Sequence, residues 1–288
     1  MTPDVSIIIP TYKRKESLLR LLRSLATETG QYLEIIVVVQ GKKIYKLPQN
    51  VKVCYLKRPN MTHARNVGAW RARGKFILYL DDDVIVRKGL IKNHIKNFRD
   101  AIVAATTGRV ITSGQPVEIE NRRVGRVGLL GGVSGGFSSS IRQKVDTVIG
   151  CNMCWRRETY FILGGTDERF TGNALREETD LSLRAKAVGY EIIFEPTAVL
   201  EHHRAETGGA RKSEGRLQWY FDYFSNETYF FLKRRMHFLL PIFWLTKIEW
   251  AMRCMFGFGR EVSIRSISTP FAGMVDGVRK YRSLLQNI

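Results

Sequence analysis

The sequence predicts an α/β protein, with a mostly parallel β-sheet flanked by helices and a helical, amphipathic C-terminal extension. Short β-branched runs alternate with amphipathic helical patterns over roughly the first hundred residues, which is typical of a parallel sheet. With 288 residues, of which 44% are hydrophobic, the chain can bury a sizeable core. Beyond residue 205, aromatic residues are interleaved with Lys and Arg, which predicts an amphipathic extension separate from the sheet.

The sheet is predicted to begin with a strand, a helix and a second strand. The β-branched runs from Val5 to Pro10 and from Leu33 to Val39 are typical of strands buried on both faces. Between them, the segment from Ser17 to Ala26 carries leucines with the spacing of one helical face. These leucines are Leu18, Leu21, Leu22 and Leu25. A helix between two strands predicts parallel pairing with a right-handed crossover.

Two further strands and a helix complete the first half. The residues from Val51 to Leu56 alternate in character, as in a β-strand. The run from Phe76 to Leu80 is apolar throughout, which is typical of a buried strand. The segment from Met61 to Arg73 is rich in Ala and Gly, which predicts a helix packed closely on the sheet. We expect these elements to form a nucleotide-binding half, residues 1–100.

Three consecutive carboxylates, Asp81, Asp82 and Asp83, follow the fourth strand. They are expected at the carboxyl edge of the sheet, where open α/β sheets bind ligands. Adjacent carboxylates raise each other's pKa unless a cation is near. A solvated acidic turn is the alternative, but in a chain of net charge +19 the triplet favours a site for Mg²⁺ or Mn²⁺.

The second half, residues 101–205, is less regular. A strand is predicted from Ile102 to Ala105, followed by a glycine-rich mobile flap from Gly114 to Ser140. A helix is predicted from Leu181 to Val188, with Gly189 at its C-terminus. The strand from Glu191 to Phe194 is expected to stop before Pro196.

The basic charge predicts anionic partners: nucleic acid, phospholipid headgroups or a phosphorylated substrate. In residues 206–288 the last apolar run is too short to span a bilayer, so we expect this region to lie on an anionic membrane surface. Packing of its aromatic residues on the catalytic domain or in a homodimer is the alternative. The N-terminus lacks a signal-peptide pattern, which predicts a cytoplasmic protein, free or peripheral on the cytoplasmic face of the membrane.

Cys151 and Cys154 form a C-x-x-C pattern. The sequence has no second cysteine pair, and no histidine at zinc-finger spacing, to complete a zinc site with them. We therefore expect these cysteines to be structural rather than metal-binding or redox-active.

Four motifs, in order along the chain, together resemble family 2 glycosyltransferases of the GT-A fold. They are Ile7 to Tyr12, Ala64 to Gly68, Asp81 to Asp83, and Glu177 to Arg184 with Gly189 and Tyr190. The resemblance covers roughly residues 4–205. It implies transfer of a sugar from a nucleoside diphosphate to an acceptor hydroxyl, with inversion and with a divalent metal. It also assigns residues 1–205 to one glycosyltransferase domain.

The resemblance implies roles for individual residues. Asp81 and Asp83 match the metal-binding pair, with Asp82 at a ribose or a metal-bound water. His202 matches a late metal-binding histidine, although His203 next to it leaves the choice open. Glu178 falls on the catalytic base, which is usually Asp, and Asp180 on the acidic residue two positions later. Thr11, Tyr12 and Arg14 fall in the donor-binding first loop, and Pro10, Gln40 and Asn66 are further expected donor contacts. Independently of the resemblance, the basic residues Arg58 and Arg65 near this edge are expected to share the charge of the diphosphate.

The sequence leaves the donor and the acceptor open. The family commonly has Asp where Gln40 stands, so UDP-, GDP- and dTDP-sugars are all candidates. A glycan or lipid-linked acceptor is expected, as in polysaccharide or glycolipid biosynthesis. A basic nucleic-acid-binding protein is the alternative from a different class, although the acidic triplet argues against nucleic acid as a partner. A metal-dependent nucleotidyltransferase is the other alternative.

Overall fold

The computed structural model describes residues 3–28, 33–41, 47–203, 215–247 and 264–286. It divides into two compact units, one formed by Met1–Asp167 with Glu178–Gly209 and the other by Glu168–Glu177 with Ala210–Ile288. The predicted boundary at residue 205 lies outside the described residues. The second unit includes residues 168–177, which the sequence had assigned to the second half of the first domain.

The strands are β1 (Val5–Thr11), β2 (Leu33–Gln40), β3 (Val51–Leu56), β4 (Phe76–Leu80), β5 (Val84–Val86), β6 (Val103–Thr112), β7 (Gln143–Lys144), β8 (Asn152–Arg156) and β9 (Glu191–His202). The helices are α1 (Lys15–Leu25), α2 (Met61–Arg71), α3 (Leu90–Ile95), α4 (Arg157–Ile162), α5 (Glu177–Ala187), α6 (Gly215–Lys233) and α7 (Ile264–Leu285).

The strands form one sheet in the order β3-β2-β1-β4-β8-β6-β9-β5, with β7 beside β9. The four N-terminal strands are parallel, as predicted: Val5 of β1 is opposite Leu33 of β2 and Phe76 of β4. Strand β8 runs antiparallel to both β4 and β6. The sheet is therefore mixed at its centre and parallel in its N-terminal half.

Helices cover both faces of the sheet. The leucines of α1, such as Leu18, pack in one apolar cluster with Ile9 of β1. On the other face, α2 packs so closely that a Cβ atom on Gly68 would lie 2.3 Å from the side chain of Ile8. The predicted close packing of a small-residue helix is confirmed, and Gly68 is the residue that permits it.

Strand β9 differs from the prediction, because it continues through Pro196. Its pairing with β6 shifts register, from Gly108 opposite Glu195 to Arg109 opposite Val199. The intervening residues form a bulge, where a proline fits because it has no N–H group to donate to a ladder. The prediction that the strand ends before Pro196 was therefore wrong.

The strand predicted from Ile102 to Ala105 extends as β6 to Thr112. The predicted α5 helix begins four residues earlier than expected, at Glu177. Strand β5 was not predicted, because three residues are too few to show a periodicity. It pairs antiparallel with β9, with Val84 opposite His202. This pairing brings the end of β9 beside the acidic triplet.

A buried histidine links α3 to the sheet. His94 is fully buried, with Nδ1 2.7 Å from Thr106 Oγ1 and Nε2 2.9 Å from Asn152 Oδ1. The Asn152 amide donates both hydrogens, to the carbonyl oxygens of Arg109 and Ala198. Its oxygen therefore accepts from Nε2–H of His94, and the Thr106 hydroxyl donates to Nδ1. This network holds a neutral imidazole, and burial lowers the pKa of His94 to about 4.

This histidine predicts a loss of stability in mild acid. The unfolded chain binds a proton at His94 below about pH 6.5, while the folded protein resists it down to about pH 4. From pH 7 to pH 5, His94 should therefore lower the free energy of unfolding by about 2 kcal/mol. Urea unfolding of the wild type and His94→Gln at both pH values measures this contribution. Equal pH dependence of the two proteins would contradict the assignment.

Candidate active site

The end of β4 and the end of β9 meet at one group of side chains. Ligand atoms of Asp81, Asp83 and His202 all lie within 4.8 Å of one another. The Nε2 atom of His202 is 3.1 Å from Oδ1 of Asp83. The structure thus brings together the three residues predicted as metal ligands, from strands far apart in the sequence.

The donor set fits a divalent metal of the Mn²⁺ or Mg²⁺ type, which takes carboxylate oxygens and, for Mn²⁺, an imidazole nitrogen. The Asp83 side chain is buried, with 3% of its surface exposed, so it gains from a nearby positive charge. The ring of the neighbouring His203 instead lies 3.5 Å from Glu201. Of the two histidines left open by the sequence, His202 is the one placed with the aspartates.

Asp82 holds the loop after β1. It is buried, accepts a hydrogen bond of 2.6 Å from the Thr11 hydroxyl and pairs with Arg14 at 3.0 Å. The same Arg14 nitrogen donates to Asp83 at 2.9 Å. Burial raises the pKa of Asp82 to about 6, against the opposing effect of Arg14. These contacts give Asp82 a positioning role; its predicted contact with ribose or a metal-bound water stays a prediction.

Arg65 approaches the triplet from α2. It is buried, and its guanidinium donates to the carbonyl oxygen of Gly150 at 3.1 Å and lies 3.7 Å from Asp81. A Cβ atom at Gly150 would lie 2.6 Å from this guanidinium, so a larger residue there would displace it. No residue pattern marks Gly150, which contacts Arg65 across 85 residues of chain.

Asn66 joins α2 to the turn after α4. Its amide donates to the carbonyl oxygen of Thr166 at 2.9 Å, and its oxygen accepts from the Thr166 backbone N–H and from the Tyr160 hydroxyl at 2.8 Å. A Cβ atom on Gly165 would lie 2.7 Å from the same oxygen. Asn66 therefore positions this turn, and a direct contact with a donor stays a prediction.

The other predicted donor-binding residues lie around the ends of β1 to β3. Gln40 is buried, and its side-chain oxygen accepts a 2.8 Å hydrogen bond from the backbone N–H of Asn60. That bond fixes the amide orientation. Pro10 is buried within β1, Tyr12 is half-buried, and Arg58 is exposed after β3. Contacts of these residues with a nucleotide stay predictions.

Glu178 and Asp180 lie in the first turn of α5, in different environments. Glu178 is half-buried, and its backbone carbonyl accepts a 2.6 Å hydrogen bond from Ser182. Asp180 is fully buried and pairs with Arg184 at 3.0 Å. Arg184 also donates to the carbonyl oxygen of Gly165 at 2.7 Å. Asp180 thus helps to anchor α5, and the catalytic roles of Glu178 and Asp180 stay predictions.

The two cysteines of the C-x-x-C pattern are buried and free. Burial raises the pKa of both the Cys151 and the Cys154 thiols, the opposite of what a thiolate ligand or nucleophile needs. The structural interpretation of this pair is supported. Cys254 lies outside the described residues.

One model of a known protein family matches the chain. The model described as glycosyl transferase family 2 matches residues 6–159, more than half of the 288 residues. The chain therefore belongs to glycosyl transferase family 2. The predicted resemblance is confirmed.

Several known proteins resemble the chain in sequence or in structure. It is 26% identical over 215 residues to the pre-mycofactocin glycosyltransferase of Mycobacterium tuberculosis, covering 70% of this chain and 43% of the relative. Among solved structures, GalNAc-T7 with UDP, GalNAc and Mn²⁺ has a TM-score of 0.61 at 17% identity, covering 82% of this chain and 51% of that one. The Pyrobaculum calidifontis mannosyltransferase PcManGT, with GDP-Man and Mn²⁺, has a TM-score of 0.53 at 15% identity, covering 99% and 76%.

These similarities confirm the predicted fold: a GT-A-like α/β sheet with flanking helices. Alignments with other curated relatives cover 25%, 29% and 17% of the lengths of those proteins, so the chain corresponds to only part of each.

The geometry predicts a divalent-cation site that can be measured directly. We expect His202→Ala and Asp83→Asn to weaken Mn²⁺ binding at least about tenfold, because each removes one of three ligands. Electron paramagnetic resonance of free Mn²⁺ during a titration measures the affinity. His203→Ala is the matched control and should bind as the wild type does. Equal losses in the two histidine variants would contradict the assignment.

Proposed function

We propose that the chain is an inverting, metal-dependent glycosyltransferase that moves a sugar from a nucleoside-diphosphate sugar to an acceptor hydroxyl. The observation that carries the proposal is the Asp81, Asp83 and His202 group at the carboxyl edge of a GT-A sheet. Membership of glycosyl transferase family 2 supports the reaction class. The bound nucleotides and Mn²⁺ of the two solved structures support the donor class and the cation.

A cation held by this group would act as a Lewis acid for the departing diphosphate, which carries the negative charge released when the glycosyl bond breaks. The chain's own residues prepare the site for it. Arg14 and Arg65 pair with the triplet, which lets three neighbouring carboxylates stay close together before a cation arrives. The Thr11–Asp82 bond fixes the first loop, where the donor is expected to bind.

Glu178 is the proposed base. An acceptor hydroxyl is a weak nucleophile at neutral pH, so a carboxylate that accepts its proton accelerates attack by about 10²–10⁴-fold. Among the described acidic residues of the first turn of α5, Glu178 is the half-buried one, whereas Asp180 is held by Arg184. Attack from the side opposite the diphosphate would invert the anomeric configuration.

The base assignment predicts a separation of binding from chemistry. Glu178→Gln should lower the transfer rate by about 10²–10⁴-fold, because the amide cannot accept the proton. The affinity for a nucleoside diphosphate with Mn²⁺ should stay unchanged. Transfer and hydrolysis assays over a panel of UDP-, GDP- and dTDP-sugars measure the first quantity, and calorimetry measures the second.

Glu158→Gln is the control for this experiment, since Glu158 is an exposed carboxylate of α4. It should keep wild-type rates. A Glu178→Gln protein that retained most of its rate would show that another group takes the proton.

The proposed acceptor is a glycan or a lipid-linked glycan, with the second unit binding an anionic membrane surface. Among the described residues, no helix is long and apolar enough to span a bilayer. Among the described residues of this unit, Phe224, Phe231 and Phe243 pack together in one apolar cluster. Packing within the unit therefore accounts for those rings, but not for all of them.

The membrane proposal is supported by an exposed apolar face that follows α6. Phe238, Ile242 and Leu245 are 68%, 53% and 73% exposed and are spaced as one face of the helical segment 237–247. Arg234 and Arg235 precede it. An apolar helical face next to basic residues is the pattern of a segment that lies among anionic headgroups.

Replacing Phe238, Ile242 and Leu245 by Ser should reduce binding to vesicles containing phosphatidylglycerol several-fold, because it removes the apolar contribution to insertion. Cosedimentation at low and high salt measures the affinity. The control replaces Leu129 and Leu130, which are 96% and 65% exposed in another loop, and should bind as the wild type. Wild-type protein that stays in the supernatant at every salt concentration would refute the membrane proposal.

A further inference from the structure

The segment 168–177, directly before Glu178, has an unusual backbone. Gly172, Ala174 and Arg176 all have positive φ angles, of 61°, 51° and 76°. Two of these residues are not glycine, so the conformation is disfavoured for their side chains. Such a backbone persists only where the surrounding structure determines it.

Asp222 of α6 fixes the first part of the segment. Its Oδ2 atom accepts a 3.2 Å hydrogen bond from the backbone N–H of Asn173, and Gln218 donates to its other oxygen at 3.0 Å. A Cβ atom on Gly172 would lie 1.9 Å from Asp222 Oδ2. The glycine therefore serves two purposes: it allows the positive φ angle, and it lets the carboxylate approach the backbone.

Asn226, one helical turn after Asp222, holds the same backbone. Its amide nitrogen donates to the carbonyl oxygen of Thr171 at 2.9 Å and to the side-chain oxygen of Asn173 at 3.0 Å. Lys280 of α7 supports it from the other side, with Nζ 3.2 Å from Asn226 Oδ1 and 2.9 Å from the Thr171 hydroxyl. Asn226 is fully buried, so these bonds form away from water.

Glu227 fixes the end of the segment. Its carboxylate accepts from Arg176 Nε at 3.0 Å and from a terminal guanidinium nitrogen at 2.9 Å. The two side chains are 3% and 12% exposed, and the guanidinium lies 5.1 Å from the centre of the Phe230 ring. A buried pair of this kind sets the position of Arg176, and Glu178 is two residues further along the chain.

The helices that carry this arrangement are closely packed against each other. Cβ atoms on Gly273 and Gly277 of α7 would lie 2.5 and 2.6 Å from the backbone oxygens of Phe221 and Ser225. The two glycines are one turn apart and let α7 rest directly on α6. The segment is thus held by a helix that is itself supported.

We propose that Asp222, Asn226 and Glu227 form a clamp that sets the backbone path of residues 168–177 and thereby positions Glu178 to accept the proton. They are positioning residues, since they act on Glu178 through the chain that precedes it. The inference rests on the proposed function, in which Glu178 is the base. It assigns to the C-terminal helices a part in the reaction that is separate from membrane binding.

The test uses the full chain with Asn226→Ala and Glu227→Gln. In both variants we expect kcat to fall at least tenfold, while KM for the sugar nucleotide and its Mn²⁺-dependent affinity stay within about twofold. Both substitutions are expected to free the segment 168–177 while leaving Asp81, Asp83 and His202 in place. Hydrogen exchange of peptides covering residues 168–178 should become faster in both variants.

Phe231→Leu is the control, because Phe231 belongs to an apolar cluster of the same unit that contains none of residues 168–177. It should lower Tm without lowering kcat at a temperature where all proteins are folded. A control that lost kcat equally, or clamp variants with kcat within twofold of wild type, would overturn the proposal. Unprotected 168–178 peptides in the wild type would also overturn it. If no sugar nucleotide bound or reacted with the wild type, the proposed function itself would be refuted, whatever the exchange result.

Discussion

Negative charge accumulates at the end of β4, and the neighbouring elements are arranged to compensate it. Three neighbouring carboxylates, two of them buried, could not stay together without compensation, since even one unpaired buried charge costs several kcal/mol. Arg14 arrives from the loop after β1 and Arg65 from α2. The loop, the helix and the strand are therefore held in register by the charges that also make the site.

The pairing of β5 with β9 completes the site. Because Val84 lies opposite His202, an imidazole from the end of the sheet reaches the residue next to Val84 in the chain, Asp83. The bulge at Pro196 belongs to the same strand, and it sets which residues of β9 face this edge. A strand of three residues thus places His202 beside Asp81 and Asp83.

The spacing of apolar and small residues predicted the strands and helices of the N-terminal half. The runs that became β1 to β4, the leucine face of α1 and the small residues of α2 were all visible in the sequence. These patterns did not predict which side chains contact each other in the folded protein. Arg65 contacts Gly150, and His94 contacts Asn152, across long stretches of chain. Such contacts depend on strand order, which residue spacing does not encode.

Tertiary contacts in the second unit were also not predicted from residue spacing. Asp222, Asn226 and Glu227 share one face of α6 by their spacing, but they are embedded among aromatic residues that suggested a surface helix. Nothing in the sequence marks Ala174 and Arg176 as left-handed residues. The packing of this face against residues 168–177 is a tertiary contact, which residue spacing does not encode.

Anomalous diffraction can locate a manganese ion bound at the end of β4. A crystal of the full chain grown with Mn²⁺ and a nucleoside diphosphate, measured above the manganese absorption edge, should show one peak coordinated by Asp81, Asp83 and His202 and by diphosphate oxygens. A nucleotide bound with its diphosphate away from these three residues, with no anomalous peak among them, would contradict it.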